Sequence, residues 1–238
     1  MAYPEHVTST VPKLRPSLKA SVPGTGFERD LWADGKNVVV GLDEVGKGAW
    51  AGPLTVGAVV IPGERRLYKV RDSKQLTPFE REAMATRIKG WANAWAVGHA
   101  SAAECDDLGM SDAQRLATRR ALADLGVKPD HALVDGNWNF VETIEATPIV
   151  KGDARSLSIA AASIVAKVTR DAIMRTASET YPWYSFESNK GYPCHRHRAA
   201  LRLYGPSTIH RRSWVYMQDL GWDGIPECRR EPTPMSLF

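Results

Sequence analysis

The stretch that most constrains this chain is Asn37-Val38-Val39-Val40-Gly41-Leu42-Asp43-Glu44-Val45-Gly46-Lys47-Gly48-Ala49-Trp50-Ala51-Gly52-Pro53. Val38 to Leu42 is apolar and β-branched with few polar breaks, the pattern of a strand buried on both faces. It runs straight into two adjacent carboxylates. Neighbouring side chains on a regular strand point to opposite faces. Asp43 and Glu44 can therefore serve one site only if the strand finishes there and the backbone turns, as Gly46 and Gly48 permit. The expectation is a carboxylate pair at a strand end; the plain alternative is a solvated turn.

Further along, Leu54 to Ile61 is expected to be a second strand, antiparallel to the first across the glycine-rich loop, with Pro62-Gly63 as a turn. Thr77 caps and Pro78 opens a helix to about Trp91. Ala94 to Ala100 is a third strand, and Ser111 to Leu125 carries a helical apolar stripe stopped by Gly126. His131 to Gly136 is a short strand that again ends in an acid and a glycine. Thr147 to Lys151 is a fifth strand, and Ser158 to about Thr176 is a long helix capped by Ser156 or Ser158. A short helix is expected near His197 to Leu203. A hairpin followed by alternating strands and helices gives an α/β fold with a mixed five-stranded sheet flanked by helices.

Residues 1–26 hold four prolines among Ser, Thr and Lys, too little apolar material to offset ordering entropy, and are expected to be a flexible arm. Residues 27–185 form the catalytic unit on this reading. Residues 186–238 form a basic, helical, substrate-binding segment ending in a frayed tail from Glu227. The net charge is only +4, but Lys190, Arg196, Arg198, Arg202, Arg211 and Arg212 fall in a run without Asp or Glu, as a polyanion-binding face requires. Cys105, Cys194 and Cys228 lack metal-type spacing, which disfavours a zinc site or a disulfide framework and fits a reducing cytoplasm. No apolar run approaches a membrane span or a signal peptide.

Asp43 and Asp135 each stand at the carboxyl end of a strand, the edge where open α/β sheets gather functional groups. Clustered carboxylates repel one another unless cations occupy them, and hard divalent ions take oxygen ligands. Gly46, Gly48 and Gly52 do not match the dinucleotide fingerprint, and the β-branched run after Pro53 prevents its helix. What remains is a loop that lets backbone groups approach a ligand, with Lys47 free to meet a phosphate. Ser163, Lys167 and Asp171 share one helix face, which also suits a plain Lys–Asp surface pair. Asp153 fits a loop or a cap equally well. Tyr192 suits either a platform for a sugar or base or a packed appendage.

Seven segments in order, spanning roughly residues 37–215, resemble prokaryotic ribonuclease HII, the type 2 RNase H family. They are Asp43 to Pro53, Asp72-Ser73-Lys74, Val134-Asp135-Gly136, Lys151-Gly152-Asp153, Ala160 to Asp171, Lys190-Gly191-Tyr192 and Gly205 to Ser213. The resemblance implies an RNase H-like fold with a C-terminal helical extension. It implies hydrolysis of the RNA strand of RNA–DNA hybrids and nicking at ribonucleotides embedded in duplex DNA, leaving 5′-phosphate and 3′-hydroxyl ends, in ribonucleotide excision repair and replication. It further implies two Mg²⁺ or Mn²⁺ ions held by Asp43, Glu44 and Asp135, with Asp171 as the fourth acid. Gly46-Lys47-Gly48 matches the family's Gly-Arg-Gly element that contacts the 2′-hydroxyl-bearing nucleotide, with lysine in place of the usual arginine. Tyr192 matches the tyrosine that recognises the junction with DNA. A cytoplasmic monomer whose partner is nucleic acid is expected. Two competing readings are a hybrid-binding protein without effective catalysis and another metal-dependent phosphoryl-transfer enzyme on a related fold.

Overall fold

The computed structural model describes residues 22–71 and 73–220, without the side chains of Gln218 and Asp219. Most of the arm, Asp72, Cys228 and the tail from Glu227 lie outside the described residues. A five-stranded sheet has the order β3-β2-β1-β4-β5. Its strands are β1 (Val39–Val45), β2 (Leu54–Val60), β3 (Ala94–Ala100), β4 (His131–Asp135) and β5 (Ala146–Ile149). The first three are antiparallel neighbours, and β1, β4 and β5 run parallel. The mixed sheet is as expected, for a physical reason legible in the chain. A tight glycine loop can join only antiparallel strands, whereas parallel neighbours need a crossover.

Helices cover both faces. On one lies α3 (Ala102–Ala123), whose Ala113, Ala117 and Ala121 pack with Val40, Leu42, Val56 and Ala58. On the other lies α4 (Leu157–Thr180), packed beside α2 (Pro78–Trp91). The alanine-rich α4 approaches the sheet so closely that a Cβ on Gly41 would stand 2.3 Å from the Ser158 carbonyl carbon. A short α1 (Gly26–Ala33) seals the N-terminal end of α4, where the buried Glu28 carboxylate accepts hydrogen bonds from Ser156 Oγ, Ser158 N and Ser158 Oγ.

The expected boundaries need three corrections. Helix α3 begins at Ala102 rather than Ser111, because a capping box of Ser101 and Glu104 starts it two turns earlier; Gly109, at φ +76°, kinks it where the apolar stripe begins. Strand β5 stops at Ile149, since Lys151 takes a left-handed backbone and opens a 3₁₀ turn at Gly152–Ala154. The most consequential correction is that β1 continues through both acids to Val45, with Asp43 paired to Gly57 and Glu44 to Val56. The strand does not end at the carboxylates.

Beyond α4, the short α5 (Phe186–Asn189) and α6 (His195–Tyr204) fold back onto its C-terminal half. Phe186, Leu201 and Tyr216 pack with Met174, Ala177, Tyr181 and Tyr184 in one apolar cluster.

Candidate active site

Because β1 is regular, Asp43 and Glu44 emerge on opposite faces of the sheet. Asp43 lies on the α4 side, opposite the side-chain-free Gly57, and is buried. The parallel register sets Leu42 against Val134, which brings Asp135 level with Asp43 on the next strand. One strand further, the 3₁₀ turn after β5 turns Asp153 inward. Oxygen atoms of Asp43, Asp135 and Asp153 lie within 4.8 Å of one another. Gly152 makes this approach possible. Its N–H donates to Asp135 Oδ1 at 2.6 Å, and a Cβ there would meet Ile159 Cδ1 at 2.6 Å and Asp135 Oδ1 at 3.2 Å.

The electrostatics are those of a site short of positive charge. Burial, then the neighbouring charges of Glu44 and Asp135, push the Asp43 carboxyl well above its ordinary range, against a hydrogen bond from Ser163. Burial and the charge of Asp153 raise Asp135. Burial raises Glu44, opposed first by the nearby Lys47 charge. Like charges held this close favour a cation between them, and an all-carboxylate donor set suits a hard divalent ion. The donors therefore fit such an ion.

Asp171 is not among the acids brought together. It lies on α4 eight residues beyond Ser163, roughly 12 Å along the helix axis, and is held by Lys167 Nζ at 2.7 Å and Arg81 Nη1 at 3.6 Å. It is buried, so the pair is not the plain surface bridge the spacing also allowed. Asp153 stands in the cluster instead. The clue in the chain was Lys151-Gly152-Asp153, an acid directly after a strand and a glycine, as in Asp135-Gly136 read backwards. Lys74 Nζ reaches Asp153 Oδ2 at 3.3 Å, and Ser73 Oγ lies 3.0 Å from Ser163 Oγ, so the segment before α2 closes one side of the site.

The glycine loop and Tyr192 form one unit. Gly46, at φ +94°, donates its N–H to the Tyr192 hydroxyl at 3.1 Å. A side chain on Gly46 would strike the Arg170 guanidinium, 2.3 Å from the Cβ position. Arg170 is fully buried and donates to the carbonyls of Ala51, Pro53 and Lys190, with its guanidinium 5.4 Å from the Tyr192 ring centre. Arg211 donates to the carbonyls of Lys47 and Gly52. The expected basic face therefore loses one member. Arg211 is a buried brace for the loop, while Arg196, Arg198, Arg202 and Arg212 are exposed.

His197 and His210 are buried as well, with their Nε2 atoms 2.9 Å apart. The Tyr192 carbonyl can only accept from His197 Nδ1, and the Ser207 N–H can only donate to His210 Nδ1. The shared hydrogen therefore sits on His210 Nε2, and both rings are neutral. Lys47 is exposed, and its Nζ donates to Gln114 Oε1 at 3.2 Å and stands 5.5 Å from the Trp138 ring centre. Cys105 and Cys194 are free thiols, and no helix among the described residues is long and apolar enough to cross a membrane.

The chain is similar to known proteins in both sequence and fold. Residues 40–217 match the sequence model of the family Ribonuclease HII. The chain is 49% identical over 176 residues to the ribonuclease HII of Nitrosococcus oceani, covering 74% of this chain and 88% of that one. It is 46% identical over 205 residues to the ribonuclease HII of a Synechococcus species, covering 85% and 92%. Among solved structures, ribonuclease H2 from Pyrococcus horikoshii superposes with a TM-score of 0.66 at 28% identity, covering 77% of this chain and 96% of that one. A chain of the PCNA:RNase HII complex from Archaeoglobus fulgidus gives 0.66 at 25% identity, covering 79% and 98%.

Proposed function

Since the chain belongs to the ribonuclease HII family, we propose that Asp43, Glu44, Asp135 and Asp153 hold the divalent ions on which its reaction depends. The protein is a metal-dependent endoribonuclease that hydrolyses the RNA strand of RNA–DNA hybrids. The observation that carries the site assignment is the convergence within 4.8 Å of Asp43 on β1, Asp135 at the end of β4 and Asp153 in the turn after β5. Glu44 leaves β1 on the opposite face and is not among the three converging acids; its place in the set rests on the family resemblance and on the influence of the Asp135 charge on its carboxyl. Asp171 is left a positioning role, tying Lys167 and Arg81 together beside the site.

When bound, the ions supply Lewis-acid chemistry, making water acidic enough to attack the phosphate and neutralising the departing 3′-oxygen. Mg²⁺ and Mn²⁺ both suit an all-oxygen donor set. The chain's own groups do the positioning. The backbone of Gly46-Lys47-Gly48 offers close approach to the 2′-hydroxyl, the one group that separates RNA from DNA at a given site. Tyr192, braced by Gly46 N and Arg170, presents its ring beside that nucleotide. The exposed arginines of residues 186–220 hold the duplex backbone through phosphates. A monomer working in the cytoplasm fits these features. PCNA accompanies the Archaeoglobus neighbour, and a sliding clamp is a partner to test here.

The deciding assay is nicking of a DNA duplex with one embedded ribonucleotide, in Mg²⁺, in Mn²⁺ and with chelator. Metal-dependent nicking that Asp43→Asn abolishes, with hybrid binding retained, supports the assignment. Nicking by Asp43→Asn would refute it.

A further inference from the structure

Gln114 is a buried polar residue at the end of an apolar helix face. Its neighbours on α3, Ala113, Ala117 and Ala121, belong to the core under the sheet, and Gln114 itself is 0% exposed. A buried amide costs stability unless its donor and acceptor are both satisfied. Here both meet charged groups. Nε2 donates to Glu44 Oε2 at 3.2 Å, and Oε1 accepts from Lys47 Nζ at 3.2 Å. The opposite amide orientation would set oxygen against carboxylate and nitrogen against ammonium, so the two partners fix the flip. Glutamate at this position would repel Glu44, lysine would repel Lys47, and an aliphatic side chain would release both. Only a side chain with a neutral donor and a neutral acceptor bridges them.

The bridge also explains where the Lys47 side chain goes. Its carbonyl is pinned by Arg211 Nη1, and its ammonium turns to the α3 face, 5.5 Å from the Trp138 ring centre. We propose that Gln114 is a positioning residue that orients the Glu44 carboxylate, and that Lys47 acts on this acid through the Gln114 amide rather than gripping a substrate phosphate. The inference rests on the reading of Glu44 as an ion-holding residue. It adds a mechanical link between the loop that meets the ribonucleotide and the acid set that cleaves beside it.

The test is a double-mutant cycle with Gln114→Met and Lys47→Met, made singly and together, with thermal unfolding as the folding control. Lys47 is exposed, so its variant folds even if Gln114→Met does not. Mn²⁺ binding is measured without substrate, and kcat and KM are measured separately on the embedded-ribonucleotide duplex. Loss of an outer partner of a metal-binding group typically costs about 10–100-fold in affinity or activity. Gln114→Met is therefore expected to weaken Mn²⁺ binding about tenfold and lower kcat, with little change in KM. Lys47→Met is expected to lower kcat in the native background and to add no further loss beside Gln114→Met. Lys47→Arg keeps a donor to the Gln114 amide and is expected to lower kcat less than Lys47→Met does.

A rise in KM and a shallower salt dependence for Lys47→Met in both backgrounds would place the lysine on a phosphate and overturn the inference. So would Mn²⁺ binding and kcat unchanged in Gln114→Met. A Glu44→Gln arm separates the two levels. If Glu44→Gln binds Mn²⁺ and cleaves like the native protein, the reading of Glu44 fails. If it is inactive while Gln114→Met is unaffected, only the role of Gln114 fails.

Discussion

Gly57→Ala adds one methyl group at a close approach between the sheet and the helix that serves the site. The new Cβ would lie 2.5 Å from the Ala162 carbonyl oxygen and 3.1 Å from Ala166 Cβ. Ordinary carbon–oxygen contact is about 3.4 Å, so α4 must retreat by about 0.9 Å. Overpacking of this kind costs about 1–3 kcal/mol. At roughly 2–4 °C per kcal/mol for a domain of this size, the melting temperature falls by about 2–12 °C. The activity loss should exceed what stability alone implies. Gly57 pairs with Asp43, and Ser163, the residue after Ala162, hydrogen-bonds that acid. A 1 Å misplacement of a catalytic group can cost about a hundredfold. The assay is thermal unfolding beside kcat measured well below the transition. Gly90→Ala serves as control, since nothing lies within 4 Å of its added Cβ and a helical glycine replaced by alanine gains roughly 0.5–1 kcal/mol. A Gly57→Ala protein that melts within about one degree of the native one and keeps its kcat would refute the close-packing argument.

Asp153→Asn should lower nicking at saturating Mg²⁺ by at least about a hundredfold, whereas Asp171→Asn, which only loosens Lys167 and Arg81, should stay within about tenfold; equal losses would restore Asp171 to the acid set. Arg170→Met strips the donor from three carbonyls, two of them buried and each of those costing about 1–3 kcal/mol when left unpaired, so a melting temperature unchanged in differential scanning calorimetry would contradict the brace. The bidentate Arg120 partner holds the Glu104 carboxyl down at about 2, so its stabilising effect is complete above about pH 4.5 and is lost as pH falls towards 2; Arg120→Ala should flatten that part of an acid-unfolding curve. Binding of an uncleaved hybrid by Asp43→Asn should weaken steeply with salt, and removing Arg198 and Arg202 together should lower the slope of log K against log salt by about 2.

Much of the fold was legible because each signal is local. The caps at Thr77 and Ser156, the glycine loop and the five apolar runs all declare themselves within a few residues. Even the early start of α3 was present as Ser101 and Glu104, three residues apart. The end of β1 was misjudged for a physical reason. A strand ends where its pairing ends, and β2 continues to pair past both acids.

By itself, the sequence determined that acids follow apolar strands and that a glycine loop comes next. It also supplied the family resemblance through seven ordered segments. It could not decide which acids meet. Asp43, Asp135 and Asp153 converge only through the parallel register of β1, β4 and β5 and the left-handed turn at Lys151, whereas Asp171 shares a helix face with Ser163 yet lies about two turns away along the axis. Nor could it show that Arg211 braces the loop from inside or that Gln114 joins Glu44 to Lys47, because those contacts link residues 67 to 164 positions apart. Local patterns fix most of the backbone conformation; the burial of Arg211 and the meeting of distant side chains are set by how sheet and helices pack.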